Sequence, residues 1–83
     1  MRTFVYKESE LKKVYASAIQ QMEEWKRKRG YLERDLVRIF IANALERICG
    51  RRWSATIVDS IMADMLWNAL ILQKGEYFEI NSL

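Results

Sequence analysis

The fold predicted for this chain is decided by residues 54–80. The first part of this stretch reads Ser54-Ala55-Thr56-Ile57-Val58-Asp59-Ser60-Ile61-Met62-Ala63-Asp64-Met65. As a helix it would place its large apolar side chains on one face, and the serine that precedes it is a favoured N-cap residue. Leu70-Ile71-Leu72-Gln73-Lys74-Gly75-Glu76-Tyr77-Phe78-Glu79-Ile80 then predicts two short strands around a tight turn that contains a glycine. Residues 67–72 fit either the end of the helix or the start of the first strand. The segment therefore predicts a helix that leads directly into a closing hairpin.

Two more helices are predicted before this segment. The first covers about Glu8–Arg29 and is long, roughly 33 Å at ~1.5 Å per residue. Acidic residues begin it, Lys26-Arg27-Lys28-Arg29 ends it, and Gly30 follows as a left-handed stop. The second covers about residues 32–49 and stops at Gly50. Because the second helix is apolar around most of its surface, we expect it to be central in the core.

The domain organisation follows from length and composition. The chain has 83 residues, of which 51% are apolar, so residues 1–83 are predicted to form one domain with one small core. Residues 1–30 would supply an N-terminal arm or strand and the long amphipathic helix, and residues 31–83 the other two helices and the hairpin. Thr3-Phe4-Val5-Tyr6 is a β-prone run that predicts an edge strand against the hairpin or an ordered arm.

Composition also limits the function classes. Histidine is absent and Cys49 is the only cysteine, which excludes ordinary zinc sites, so neither a metal nor a cofactor is expected. The usual general base is missing and no carboxylate pair stands in an apolar setting, so we predict that the chain is not an enzyme and has no small-molecule substrate. No apolar run reaches the ~20 residues that span a bilayer, and the N-terminus lacks a signal-peptide core. A cytoplasmic protein without membrane contact is therefore expected.

The order of elements resembles a known family. A helix, a turn at Gly50, a capped helix and the run Leu-Ile-Leu-x-x-Gly-x-Tyr-Phe-x-Ile resemble the winged helix-turn-helix family over about residues 36–80. The resemblance implies three helices plus a wing, mainly α with a small C-terminal β-hairpin. It also implies that the helix after Ser54 is the recognition helix and that Lys74 and Gly75 lie at the wing tip.

The resemblance implies a small DNA-binding transcriptional regulator that acts by occupying duplex DNA, as a dimer. Basic residues are concentrated in residues 1–50, which contain 11 Lys and Arg but only 7 Asp and Glu. The cluster at residues 26–29 would attract phosphates without sequence preference, although cations at a helix C-terminus also stabilise the helix with no ligand. The candidate nucleic-acid contacts are Arg51, Arg52, Thr56, Ser60, Lys74, Lys26, Arg27, Lys28 and Arg29.

A second interpretation stays open, a protein-interaction module such as an adaptor, an assembly subunit or a small inhibitor of mobile-element origin. Residues 53–73 contain no Lys or Arg, whereas a recognition helix contacts bases and phosphates through such side chains. The apolar stripe of the first helix would either form a short coiled coil with a second chain or pack on the chain's own second helix. The candidate partner residues are Leu11, Tyr15, Met22, Trp25, Asp59 and Asp64.

Overall fold

The structure is a computed structural model that describes residues 7–50 and 53–81. Its elements in chain order are the helices α1 (Glu8–Arg29), α2 (Arg34–Cys49) and α3 (Ala55–Trp67) and the strands β1 (Ile71–Lys74) and β2 (Tyr77–Ile80). The prediction of a mainly helical chain with a C-terminal antiparallel hairpin is confirmed. The strand predicted at residues 3–6 lies outside the described residues. None of the described helices has an apolar stretch long enough to cross a membrane.

Helix α2 is the centre of the molecule, as its wide apolar surface predicted. It packs against α1, α3 and β2, while β1 packs against α3. Every side chain buried within the described residues is apolar. The core consists of Leu11, Val14, Ala18, Met22, Leu32, Val37, Ile41, Ala44, Leu45, Cys49, Val58, Ile61, Met62, Met65, Ile71 and Phe78. The fold is therefore stabilised mainly by the burial of aliphatic surface from all three helices and the hairpin.

The first helix has the boundaries that its end signals predicted. At its start, the Glu10 carboxylate accepts a hydrogen bond from the Lys7 backbone N–H at 3.1 Å, which is half of a capping box. At its end, Gly30 takes a left-handed conformation (φ 81°) and its N–H donates to the Lys26 carbonyl at 2.7 Å. The charged ends, the capping contact and the glycine stop all favour the same two helix boundaries.

The connection between α1 and α2 differs from the prediction that placed the start of the second helix at residue 32. Leu32 is fully buried, and its carbonyl accepts a hydrogen bond from the Phe78 N–H at 2.7 Å. Glu33 forms an antiparallel bridge with Tyr77. These contacts hold the two residues extended, so α2 begins only at Arg34. The short segment thus lies beside β2, on the side away from β1.

The exit from α3 settles the ambiguous residues 67–72. Ser54 caps the start of α3, as predicted, with its Oγ accepting from the Ile57 N–H at 3.3 Å. The helix ends at Trp67 in a Schellman motif, in which Leu70 N–H donates to the Met65 carbonyl and Ala69 N–H to the Leu66 carbonyl. Ala69 has φ 57°, a conformation usually reserved for glycine. The chain then enters β1 at Ile71.

The hairpin closes through a two-residue turn. Lys74 pairs with Tyr77 and Ile71 with Ile80, which leaves Gly75 and Glu76 as the turn residues. Gly75 has φ 65° whereas Glu76 does not have a positive φ, the combination found in a type II′ turn. The Asn81 side chain donates to the Ala69 carbonyl at 2.7 Å and so fastens the end of β2 to the exit of α3. The open end of the hairpin is therefore fixed relative to the exit of α3.

Candidate interaction surfaces

The outward-facing side of α3 carries one charged residue and ends in an exposed aromatic ring. Thr56, Asp59, Ala63 and Trp67 are exposed at helical spacing, and we call them the α3 outer face. Trp67 is 88% exposed, more than any other large apolar side chain in the described residues. Thr56 is free to meet a ligand, whereas Ser60 is half-buried at the edge of this face. Since residues 53–73 contain no Lys or Arg, the face offers small side chains, the Asp59 carboxylate and one indole, with no cation of its own.

The two aspartates of α3 are held by contacts within the chain. Asp59 Oδ1 lies 2.9 Å from Arg38 Nε of α2, an ion pair without the alignment of a hydrogen bond. Asp64 is half-buried and accepts a hydrogen bond from the Tyr15 hydroxyl of α1. Of these two candidate partner residues, Asp59 is exposed beside Arg38, whereas Asp64 is engaged with α1. Tyr15, expected at a partner surface, instead joins α1 to α3.

A shallow apolar cleft lies between α2 and the start of α3. It encloses about 410 Å³ and is lined by Asp35, Arg38, Ile39, Ala42, Trp53, Ala55 and Val58, and we call it the α2–α3 cleft. Ile39 is 51% exposed and Trp53 is 39% exposed. Asp35 and Arg38 stand at its border on α2. The cleft therefore offers apolar contact area with charged groups beside it.

A second depression adjoins this cleft. It encloses about 240 Å³ and is lined by Glu33, Arg34, Asp35, Glu76 and Tyr77, and we call it the acidic pocket. The Tyr77 ring also meets the ring of Tyr31 edge to face, with centroids 6.3 Å apart, and both side chains are exposed. Asp35 lines both depressions, so the two lie next to each other on the surface.

The basic cluster at the end of α1 is divided between two sides of the helix. Lys26 and Arg27 line a depression with Ile80 of β2, whereas Lys28 lines another with Trp25 and Phe40. The Arg29 guanidinium lies 5.3 Å from the centre of the Trp25 ring. Only part of the cluster can therefore contact one flat ligand, because its members point in different directions around the helix.

The apolar stripe of α1 serves the chain's own core. Leu11 is 2% exposed and Met22 is fully buried, so neither can lie on a partner surface as expected. Trp25 is half-buried, with its ring centroid 6.1 Å from that of Phe40 on α2. Packing within the chain, and not a coiled coil with a second chain, accounts for Leu11 and Met22, while Trp25 packs on the second helix.

Lys74, expected at the tip of a wing, is engaged within the hairpin. Its Nζ lies 3.1 Å from Glu79 Oε2. This hydrogen-bonded ammonium holds the pKa of Glu79 below its ordinary value, with a smaller contribution from Lys26. Of the other sequence candidates, Arg51 and Arg52 lie outside the described residues.

The candidate residues chosen from the sequence did not include two highly exposed apolar side chains, Trp67 and Ile39. The stripe Thr56, Ser60 and Ala63 continues at helical spacing to Trp67, and that signal would have placed the indole on the outer face. Ile39 gave no such signal, because α2 is apolar almost all around. Within 7–50 and 53–81, His, Cys, Asp and Glu side chains form no cluster able to hold a metal ion. No protein-family model, curated protein or solved structure matches this chain.

Proposed function

We propose that this chain is a non-enzymatic protein-interaction module on a winged-helix-like scaffold. The observation that carries the proposal is the α3 outer face, which has no cation and ends in Trp67 at 88% exposure. Support for the scaffold comes from the element order, three helices followed by an antiparallel hairpin. Fold order alone says little about activity, so the proposal relies on the chemistry of the surface.

The exposure of Trp67 favours a protein partner on energetic grounds. Tryptophan is among the residues that most often dominate interfaces, because it buries a large area with little loss of conformational freedom. Removing ~200 Å² of aromatic surface from water at ~25 cal/mol per Å² contributes at most ~5 kcal/mol to a complex. The small side chains of Thr56 and Ala63 allow a partner to approach the helix closely.

A pull-down with matched variants tests this proposal. Tagged wild-type chain, Trp67→Ala and Gln20→Ala are incubated with lysate of the source cells, and retained proteins are quantified by mass spectrometry. Gln20 is an exposed residue of α1 and serves as the control. We expect wild type and Gln20→Ala to retain the same protein, and Trp67→Ala to retain it about tenfold less. Equal retention by all three, with unchanged circular dichroism, would contradict the proposal.

A second candidate, the DNA-binding regulator, is favoured by one specific observation. The two carboxylates that would repel phosphates from α3 are both engaged, Asp59 with Arg38 and Asp64 with Tyr15. In this alternative a dimer contacts duplex DNA through α3 and the wing, with the end of α1 attracting the backbone. Replacing Arg51 and Arg52 together by alanine would then lower both the affinity and its dependence on salt.

A further inference from the structure

We infer that the α2–α3 cleft and the acidic pocket together bind a basic amphipathic segment of a protein partner. Apolar side chains of that segment occupy the cleft, and a Lys or Arg enters the acidic pocket. The inference rests on the proposed interaction function and adds the chemistry of the partner. It concerns a different surface from Trp67, so the two can be tested separately.

The apolar half of the surface supplies contact area. Ile39 and Trp53 expose about half and two-fifths of their surfaces beside the alanines Ala42 and Ala55. A cleft of about 410 Å³ accepts several aliphatic side chains at once. Apart from Asp35 and Arg38 at its border, the cleft is lined by apolar side chains, so it favours an apolar occupant.

The other half determines the charge of the occupant. Three carboxylates, those of Glu33, Asp35 and Glu76, line the acidic pocket against the single guanidinium of Arg34. The neighbouring rings of Tyr31 and Tyr77 add aromatic faces, which attract cations. Charge complementarity therefore selects a Lys or Arg side chain, and the same carboxylates repel the phosphates of a nucleic acid.

One short segment can reach both halves. Asp35 lines both depressions, and Ile39 lies one helical turn further along α2, at about 6 Å of rise. A partner whose apolar anchors and cation are separated by one or two turns of a helix matches this spacing. The partner is thus expected to carry a helix with aliphatic residues on one face and basic residues at its border.

A labelled synthetic peptide tests the inference. The probe is an amphipathic helix with leucines on one face and lysines beside them, and the matched probe replaces every lysine by glutamate. Binding to the full chain is measured by fluorescence anisotropy, and the site is read from the indole N–H signal of Trp53 by NMR. We expect the lysine peptide to bind and to shift that signal, and the glutamate peptide not to bind.

Three variants locate the two halves. Ile39→Gln removes the apolar contact without adding charge, and Glu76→Lys reverses one charge of the acidic pocket. Glu24→Lys makes the same charge change on the exposed surface of α1 and is the control. We expect Ile39→Gln and Glu76→Lys each to weaken binding about tenfold and Glu24→Lys to leave it within about twofold.

Three results of these experiments would overturn the inference. Absence of lysine-peptide binding, equal binding of both peptides, or binding unaffected by Ile39→Gln and Glu76→Lys would do so. A concentration-dependent dimer that Ile39→Gln dissociates would make a second copy the occupant of the cleft. Trp67-dependent capture in the pull-down without peptide binding would reject this inference and leave the proposed function standing. The reverse pattern would reject the α3 outer face as the contact surface of the proposed function and leave the cleft as the binding site.

Discussion

The C-terminal ends of α1 and α3 each carry a tryptophan, and the two side chains differ in their packing and exposure. Trp25 packs on Phe40 of α2 and lies under the guanidinium of Arg29. Trp67 is the last residue of α3 and remains 88% exposed. The last turn of α1 is entirely basic and Gly30 ends it, whereas α3 has no basic residue in its last turn and reverses at Ala69.

This difference separates residues that stabilise the fold from residues available to a partner. The end of α1 satisfies helix capping, helix dipole and ring packing at once. The end of α3 leaves a large apolar ring in water and takes a positive φ without glycine. Natural proteins depart from local rules mainly where function requires it, which makes the end of α3 the better functional candidate.

The largest effect should distinguish the two tryptophans. We expect Trp25→Ala to lower the free energy of unfolding by about 3 kcal/mol, since it leaves a gap between α1 and α2. Trp67→Ala should change it by no more than about 0.5 kcal/mol, because the ring touches little of its own chain. Urea denaturation followed by circular dichroism measures both. Similar losses for the two variants would remove the contrast between these helix ends.

The next effect concerns the hydrogen bond that joins α1 to α3. Tyr15→Phe removes the hydroxyl that donates to Asp64, and we expect a loss of about 1.5 kcal/mol because a half-buried carboxylate loses a donor. Tyr31→Phe makes the same change on an exposed ring and should have almost no effect. Denaturation midpoints of the two variants would show whether the link contributes to stability.

Exchanging glycine and alanine after α1 and after α3 should have a smaller effect on stability, with opposite signs at the two positions. Ala69→Gly should stabilise the chain by about 0.5–1 kcal/mol, because Ala69 stands at the left-handed position of a Schellman motif (φ 57°). Gly30→Ala, at φ 81°, should cost about 1 kcal/mol, although no other atom crowds the added methyl group. Thermal unfolding compares the pair, and a destabilised Ala69→Gly would contradict this explanation.

The smallest effect is a local titration in the hairpin. Lys74→Gln should raise the pKa of Glu79 towards its ordinary value of 4.5, since the hydrogen bond from Lys74 is the main cause of the lowering. A lowered folded-state pKa contributes stability above the ordinary value, and that contribution is lost as pH falls through the folded value. An NMR titration of the Glu79 carboxyl carbon measures the shift. Stability at neutral pH should hardly change, because the pair is exposed.

Much of the fold could be predicted from local signals in the sequence. The charged ends of α1, the Ser54 cap and the alternation around Gly75 act within a few residues, and each predicted its element correctly. The extended Leu32–Glu33 backbone could not be predicted, because its hydrogen-bond partners lie about 45 residues away in β2. Apolar periodicity alone therefore placed the start of α2 at residue 32, before its observed start at Arg34.

The candidate surfaces were less predictable for the same reason. The contacts of Asp59 with Arg38 and of Asp64 with Tyr15 link different helices, so the composition of α3 alone could not show that its acids are engaged. Leu11 and Met22 fitted a coiled-coil stripe as well as a core stripe, and only the position of α2 decides between them. Ile39 becomes a candidate only once the cleft beside it is seen.

The most direct test of a protein partner against a DNA ligand is a fluorescence-anisotropy titration of random-sequence duplex DNA with this chain at low and moderate salt. Because the α3 outer face has no Lys or Arg and the acidic pocket carries three carboxylates, we expect any binding through the basic cluster at residues 26–29 to be confined to low salt, with none in the ~1–100 µM range at moderate salt. Micromolar binding that persists at moderate salt would contradict the interaction-module proposal and favour the regulator.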